Sequence, residues 1–343
     1  MQRKRNFANL APHGQLDLYP LSSLIGQRFA TDNDMDTRLP DAAKIRQSVI
    51  AVPPLAVDAD GTLRREENAK IIRHITAGGV SHLLYGGNAL FYHIRPSRLA
   101  ACLSMLSDLT DDQTSVVPSI GPAYGLLLDQ VEVLADFDFP TAMVLPQRDI
   151  ADDAGIASGI RHAAEKLGRP LVVYLKFDRW LKSETVRKLE ADGVISWIKY
   201  AVVREDESDD DYLRELLDVF PAERMVSGIG EQPAIVHLRD FGLGGFTSGC
   251  VCVAPAKSQQ MLQAILADRF EEAEEIRKFF LPLEDLRNGI HPIRVLHEAV
   301  QLAGIAQTGP LLPLVSPLDE ASRAQIAAAL ATMQLSESVP TNS

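Results

Sequence analysis

The sequence has few cysteines, no long apolar run and no excess of basic residues, and each shortage excludes a class of protein. Three cysteines in 343 residues are too few for a disulfide framework, and none lies in a CxxC or near a histidine at zinc-site spacing. No stretch reaches the roughly 18 consecutive apolar residues that a membrane-spanning helix needs. A net charge of −12 disfavours phosphate binding. We therefore expect neither a nucleic-acid nor a membrane partner.

The less regular parts of the sequence have simple interpretations. Residues 1–45 begin with basic residues but lack an apolar stretch, so we predict no secretory signal and a cytoplasmic protein. This segment is interpreted as an extension that wraps the domain or mediates assembly, with a weakly ordered tail as the alternative. The acidic run Arg204–Asp211 predicts a solvated loop that leads into a helix N-terminus, with a metal site as the alternative. Cys102, Cys250 and Cys252 are expected to pack in the core, the last two on one face of a strand.

Short apolar runs recur from about Ser48, and each is followed by an amphipathic stretch. Their β-branched residues and polar or glycine ends are typical of buried parallel strands. The predicted strands are Ser48–Leu55, Ser81–Gly86, Ser115–Ile120, Thr141–Leu145, Pro170–Tyr174, Ile195–Lys199, Arg224–Ser227 and Gly244–Gly249. The predicted helices between them include Arg65–Ala77, Ser97–Leu109, Ala151–Leu167, Ser183–Ala191 and Asp211–Phe220.

Eight such units within about 220 residues predict an α/β fold, a (β/α)8 TIM barrel. A doubly wound open sheet is the competing fold, but no G-x-G-x-x-G turn follows the first strand. Beyond about Lys257 the pattern becomes helical, with predicted helices Gln259–Phe280, Ile293–Leu302 and Ser322–Met333. The expected organisation is an N-terminal extension (1–45), a barrel (46–268) and a C-terminal helical bundle with its tail (269–343).

Lys199 is the strongest candidate for a catalytic residue. It ends the apolar run Val194–Ile198, and catalytic groups of such barrels lie at the C-terminal ends of strands. Burial disfavours an ammonium ion, so a lysine here would supply a neutral amine that can attack a carbonyl. The alternative is a strand-end lysine that reaches solvent or pairs with a carboxylate.

Two neighbouring strand ends support Lys199. Tyr174 ends the preceding strand, where its phenol could act as a proton shuttle; the alternative is an ordinary partly buried tyrosine. The turn Gly86-Gly87-Asn88 ends the second strand, and its glycines allow backbone amides to converge on a carboxylate.

Together these features resemble the dihydrodipicolinate synthase/N-acetylneuraminate lyase family of class I aldolases, from about Ser48 to Leu335. Leu171–Tyr174 and Ile195–Lys199 are similar to the strands that carry the family's tyrosine and its Schiff-base lysine. The resemblance implies the barrel fold and a substrate such as pyruvate or another 2-oxo acid. It also implies a homotetramer or dimer and no metal or organic cofactor, because the imine withdraws the electrons.

The resemblance also assigns substrate-binding roles. It places Gly86, Gly87 and Asn88 where the family has its GTTGE carboxylate loop. Gly228 and Ser248-Gly249 match the glycine elements of strands seven and eight. Arg179, five residues after Tyr174, stands where the synthases have an arginine that binds a dicarboxylate.

Departures from the family pattern change the expected reaction. Gly87 lacks the hydroxyl of the family's first threonine, and Pro146-Gln147-Arg148 replaces the element that supplies a relay tyrosine, although Tyr124 could compensate. The sequence therefore predicts an aldolase, dehydratase or synthase other than the lysine-biosynthetic enzyme. The groups Arg148, Lys176 and Arg179 would suit a second anionic group on the substrate. The alternatives are a silent 2-oxo-acid-binding protein and a barrel enzyme that forms no imine.

Overall fold

The computed structural model describes residues 35–337, with side chains as far as Met333. Most of the predicted N-terminal extension, residues 1–34, lies outside the described residues. Eight strands close into one barrel in sequence order, and every pair of neighbours is parallel. The strands are β1 (Ile50–Ala51), β2 (His82–Tyr85), β3 (Ser115–Ile120), β4 (Met143–Val144), β5 (Leu171–Leu175), β6 (Ile195–Tyr200), β7 (Met225–Ser227) and β8 (Gly245–Ser248).

The predicted (β/α)8 barrel is confirmed, and all eight strands lie within or next to the expected runs. The exclusively parallel pairing explains why the runs are apolar throughout, since helices cover the outside and side chains fill the interior. The helices are α1 (Ala42–Gln47), α2 (Arg65–Ala77), α3 (Pro96–Asp108), α4 (Tyr124–Leu134), α5 (Asp153–Leu167), α6 (Ser183–Ala191), α7 (Asp211–Leu217), α8 (Ala234–Arg239), α9 (Pro255–Leu266), α10 (Phe270–Gly289), α11 (Pro292–Leu302) and α12 (Glu320–Glu337).

Aspartates begin several of these helices, as the sequence pattern indicates. Asp152 accepts a hydrogen bond from Gly155 N at 2.7 Å at the start of α5. Asp210, at the end of the acidic run, caps α7 by accepting from Leu213 N at 3.0 Å. The acidic run is thus a largely exposed loop that leads into a helix, as predicted.

Two details of the predicted secondary structure are wrong. The single helix Gln259–Phe280 is two helices, because Asp268 has a left-handed φ of 57° and ends α9. The second of these, α10, then continues through Pro282 to Gly289. Proline removes one helical hydrogen bond, but the buried residues Leu283, Glu284 and Arg287 keep the following turns packed. This continuation carries α10 to the end of the barrel where β7 and β8 finish.

The cysteines are packed in the core as expected, but not all in the expected geometry. Cys102, Cys250 and Cys252 are buried and free. Cys250 and Cys252 lie in a short 3₁₀ segment after β8 rather than in a strand. None of the helices within residues 35–337 has both the length and the hydropathy to cross a membrane.

The outer helices carry many ion pairs between exposed side chains. Arg187 bonds Glu184 at 2.6 Å along α6, and Lys278 bonds Glu275 at 2.7 Å along α10. Arg161 of α5 bonds Asp192 at 2.6 Å. Such exposed pairs contribute little stability each, at most about 1 kcal/mol.

Candidate active site

Lys199 lies inside the barrel near the C-terminal end of β6. It is 5% exposed, and it has no hydrogen-bond or ion-pair partner within residues 35–337. Its Nζ lies 4.5 Å from the ring centroid of Tyr174. Burial, together with the nearby charges of Lys176 and Arg287, lowers the pKa of Lys199 to about 7. About half of this amine is therefore neutral near pH 7, so the solvent-exposed and carboxylate-paired alternatives do not describe it.

Tyr174 stands directly opposite Lys199 on the neighbouring strand, because β5 and β6 pair in that register. Burial raises the pKa of Tyr174 to about 12, so its phenol remains a hydrogen-bond donor at neutral pH. The sequence analysis did not select Tyr92. Burial raises the pKa of Tyr92, and the nearby charge of Tyr174 contributes to this shift. The Tyr92 hydroxyl lies 3.5 Å from the carbonyl oxygen of Pro146.

The turn after β2 presents free backbone donors. Leu90, with a left-handed φ of 56°, closes the turn by donating to Gly87 O at 2.9 Å. The N–H groups of Gly87, Asn88 and Ala89 have no acceptor in the part of the chain that the structure describes. The Asn88 side chain is fixed by donating to Val52 O at 2.9 Å. Consecutive free amides of this kind suit a carboxylate.

Glycines allow close approach at this end of the barrel. A Cβ at Gly86 would lie 2.9 Å from Met143 Cε and 3.1 Å from Ser119 Oγ. A Cβ at Gly228 would lie 2.7 Å from Ala201 Cβ and 3.0 Å from Lys199 Cγ. The loop after β7 therefore packs directly against the lysine stem.

Gly249 and Ser248 end the last strand, beside helix α10. A Cβ at Gly249 would lie 2.6 Å from Nη2 of Arg287. The Ser248 hydroxyl donates to Glu231 at 2.8 Å, and its oxygen accepts from Val251 N at 2.9 Å. Ser248 is thereby occupied by protein groups, and its predicted contact with substrate stays a prediction.

The three predicted cationic groups differ in their surroundings. Arg179 is about half exposed, is paired with Glu215 and Asp178, and lies over the ring of Tyr212. Arg148 and Lys176 instead flank the ring of Phe177 at 4.8 and 5.9 Å. Neither has a carboxylate partner within the described residues, and Lys176 is close enough to lower the pKa of Lys199.

Arg287 on α10 is a further cation that the sequence analysis missed. It is 8% exposed, yet its contacts are only Nε to Pro292 O at 3.4 Å and Nη1 to Cys250 Sγ at 3.9 Å. No carboxylate of the described residues forms an ion pair with it. Burial and the charges of Arg294 and Lys176 lower the pKa of His291, which precedes α11.

Two buried acids stand close to Arg287. Glu231 accepts from the Ser248 and Ser258 hydroxyls at 2.8 and 2.6 Å. Burial and the neighbouring Glu231 raise the pKa of Glu284 well above its ordinary value, which favours its neutral form. Glu231, Glu284 and Cys250 have possible metal-ligand atoms within 4.8 Å of one another. The adjacent guanidinium of Arg287 disfavours a cation there.

Tyr124 lies apart from this constellation, whereas Gln147 is fixed through its backbone. Tyr124 is 51% exposed, and its hydroxyl bonds His162 of α5. The Gln147 carbonyl accepts from Trp180 Nε1 at 2.8 Å. Tyr124 therefore shows no contact that would let it replace the family's relay tyrosine within one chain.

Comparison with known proteins agrees with the resemblance in the sequence. No protein-family model matches the chain. Over 313 residues it is 22% identical to the 4-hydroxy-tetrahydrodipicolinate synthase of Chlorobium phaeovibrioides, covering 90% of this chain and 93% of that protein. A 176-residue match to the same enzyme of Pseudomonas putida is 28% identical and covers 50% of this chain and 58% of that one.

Solved structures show the same fold. The dihydrodipicolinate synthase of Bacillus clausii superposes with a TM-score of 0.77 at 20% identity, covering 86% of this chain and 100% of that one. YagE of Escherichia coli K12, a member of the dihydrodipicolinic acid synthase family in complex with pyruvate, has a TM-score of 0.73 at 21% identity, covering 84% and 99%. The neighbours are thus members of this family at low identity, consistent with a divergent member.

Proposed function

We propose that this divergent relative of the dihydrodipicolinate synthases is a Schiff-base-forming lyase or synthase, in which Lys199 condenses with pyruvate or a related 2-oxo acid. The observation that carries the proposal is a buried amine without an ionic partner, its pKa lowered to about 7, at the C-terminal end of a barrel strand. A neutral amine in a water-poor site is the nucleophile that imine formation requires.

Binding precedes the covalent step. The substrate carboxylate accepts hydrogen bonds from the free N–H groups of Gly87, Asn88 and Ala89. This holds the 2-oxo carbon near Lys199 Nζ, as reaction within a bound complex requires.

The amine of Lys199 then adds to the carbonyl carbon. Protonation of the resulting carbinolamine hydroxyl lets water leave, and a protonated imine remains. Loss of a C3 proton gives an enamine for condensation, while the protonated imine accepts the electrons released in retro-aldol cleavage. β-Elimination of water can follow from the enamine.

Tyr174 transfers the protons in these steps, because it is the hydroxyl opposite Lys199 in the strand register. Tyr92 is the next hydroxyl along this path, close enough to interact electrostatically with Tyr174. It takes the place of the hydroxyl that Gly87 lacks, within the same chain.

The reaction differs from the lysine-biosynthetic condensation. Gly87 and Pro146-Gln147-Arg148 lack the relay groups of that enzyme, and Tyr124 is bonded to His162 instead. We accordingly expect at most trace activity in an assay of the lysine-biosynthetic reaction, with cleavage or dehydration of other 2-oxo acids as the main activity. Turnover at the rate of a true synthase would contradict this part of the proposal.

Borohydride trapping tests the central claim. After incubation with pyruvate and borohydride, peptide mapping should find a reduced adduct on Lys199, and the Lys199→Arg variant should show none. An adduct on Lys176 instead would overturn the assignment of Lys199 as the nucleophile. No adduct on any residue would overturn the mechanism and favour a barrel enzyme without an imine. An adduct without turnover of any 2-oxo acid would identify a silent binding protein.

The assembly is proposed to be a homotetramer or dimer, and light scattering of the purified chain measures its mass directly. A monomer at the concentrations used for assay would contradict that proposal. Cytoplasmic localisation remains a prediction from the sequence.

A further inference from the structure

Arg287 is a buried cation whose donors are mostly unused. A guanidinium carries five N–H groups, but here two of its nitrogens make only long contacts and the third, Nη2, makes none with the described residues. A buried charge without a partner is costly. Gly249 leaves room for the guanidinium in this place, since a Cβ there would lie 2.7 Å from Cζ.

The nearby acids act on Arg287 through their charge, but neither forms an ion pair with it. Glu231 is engaged by two serine hydroxyls, and Glu284 accepts from the Glu231 N–H at 3.0 Å. Burial raises the pKa of Glu284, which favours its neutral form. The guanidinium therefore retains unused N–H donors for another anion.

Lys176 brings a second cation to the same place. It follows β5, and its charge, like that of Arg287, lowers the pKa of Lys199. Like Arg287, it has no ion pair with any described carboxylate. Lys176 directly follows β5, Lys199 lies near the end of β6, and Arg287 packs against Gly249 just after β8, so the three cationic groups share one end of the barrel in a protein with a net charge of −12.

We propose that Arg287 and Lys176 form a second anion subsite beside Lys199, and that the substrate is a 2-oxo dicarboxylic acid. The 2-oxo acid carboxylate is held at Gly87–Ala89, and the second carboxylate is held by the guanidinium and the ammonium. A planar guanidinium matches the two oxygens of a carboxylate. This inference rests on the proposed imine function and names the class of substrate for it.

The test compares 2-oxo acids of equal chain length with and without the second carboxylate. Half-saturating concentrations for imine trapping are measured for 2-oxoglutarate against 2-oxopentanoate, and for 2-oxoadipate against 2-oxohexanoate. The wild-type chain should bind at least one diacid about 30- to 100-fold more tightly than its partner, the size expected for a charge pair formed on binding. Equal binding of both members of each pair would overturn the inference.

Variants then locate the subsite. Arg287→Met and Lys176→Met should reduce the ratio of the two affinities toward one, and Arg287→Lys should restore part of it. The ratio is the readout, because either loss of charge also raises the pKa of Lys199 and so affects both acids. Arg161→Met, which removes an exposed paired guanidinium, is the matched control and should leave the ratio unchanged.

Arg179→Met tests the competing assignment from the family resemblance. Loss of diacid preference in Arg179→Met but not in Arg287→Met would overturn the inference. Thermal unfolding checks that each variant folds, and Lys176→Met keeps the test decisive if Arg287→Met does not. The failures are distinguishable, since absence of any pyruvate adduct counts against the proposed function, whereas a pyruvate adduct without diacid preference counts against the subsite alone.

Discussion

Basic side chains on the outer helices differ in their surroundings from those at the barrel mouth, which is the end of the barrel where the strands finish. On the outside, Arg161 and Arg187 each lie within 2.6 Å of a carboxylate oxygen and are exposed. At the mouth, Lys199 and Arg287 are buried, and neither has a carboxylate partner among the described residues. Charges of the first kind are solvated and paired at the protein surface. Charges of the second kind are costly to bury, and the anion that we propose would offset this cost.

The largest effect that would sharpen this contrast is expected from Tyr174→Phe. Removing the phenol opposite Lys199 should lower kcat by roughly 100- to 1,000-fold, the usual contribution of a positioned proton-transfer group. The KM for the 2-oxo acid should change much less, because the carboxylate is held elsewhere. Steady-state kinetics with the best diacid measure both. A variant with wild-type kcat would remove Tyr174 from the mechanism.

Tyr92→Phe should have a smaller effect of the same kind. Its hydroxyl is one step further from the imine, so we expect kcat to fall by about 10-fold. Tyr124→Phe is the control, because that hydroxyl is bonded to His162 on the outside. Equal losses in the two variants would show that Tyr92 has no specific part in proton transfer.

Lys176→Met should move the pH dependence of imine formation upward. In the wild-type chain the pKa of Lys199 is about 7, so trapping should rise with pH through that value as the amine loses its proton. Removing a nearby positive charge stabilises the ammonium form and raises this pKa. The midpoint of trapping against pH measures the change, with Lys182→Met as the exposed-lysine control. A midpoint that does not move would show that the charge of Lys176 does not act on Lys199.

The smallest effect on activity and stability is expected for a substitution on the outer helices. Arg161→Met removes a paired, exposed guanidinium and should change the free energy of unfolding by no more than about 1 kcal/mol. Its kcat and KM should equal those of the wild-type chain. Chemical denaturation and kinetics check the two expectations, and a large loss in either would contradict the distinction between the two regions.

The sequence predicts the barrel and its two central residues for physical reasons. Buried parallel strands are apolar on both faces, so all eight are visible as short runs that end in polar or glycine residues. A catalytic side chain at a strand end is then found by reading the last residue of each run. Lys199 and Tyr174 stand at such ends, and the register pairs them.

Arg287 and Tyr92 escape this kind of reading. The predicted helix ends at Phe280, whereas α10 continues through Pro282 to Gly289 and so includes Arg287. Tyr92 lies after a turn whose direction depends on the left-handed backbone of Leu90, a conformation that leucine rarely adopts. Arg179 forms an ion pair with Glu215, which lies 36 residues further along the chain. The spacing of residues in the sequence does not reveal such a non-local contact.

The contact between Gly249 and Arg287 links two positions that are far apart in the sequence. Any side chain at 249 would occupy the space of the guanidinium, since even a Cβ would lie 2.6 Å from Nη2. A side chain at 249 would therefore displace the guanidinium of Arg287 from its present position, so we expect the two residues to vary together. A relative that has replaced the glycine should also have lost the arginine, and we expect its preferred substrate to carry one carboxylate fewer.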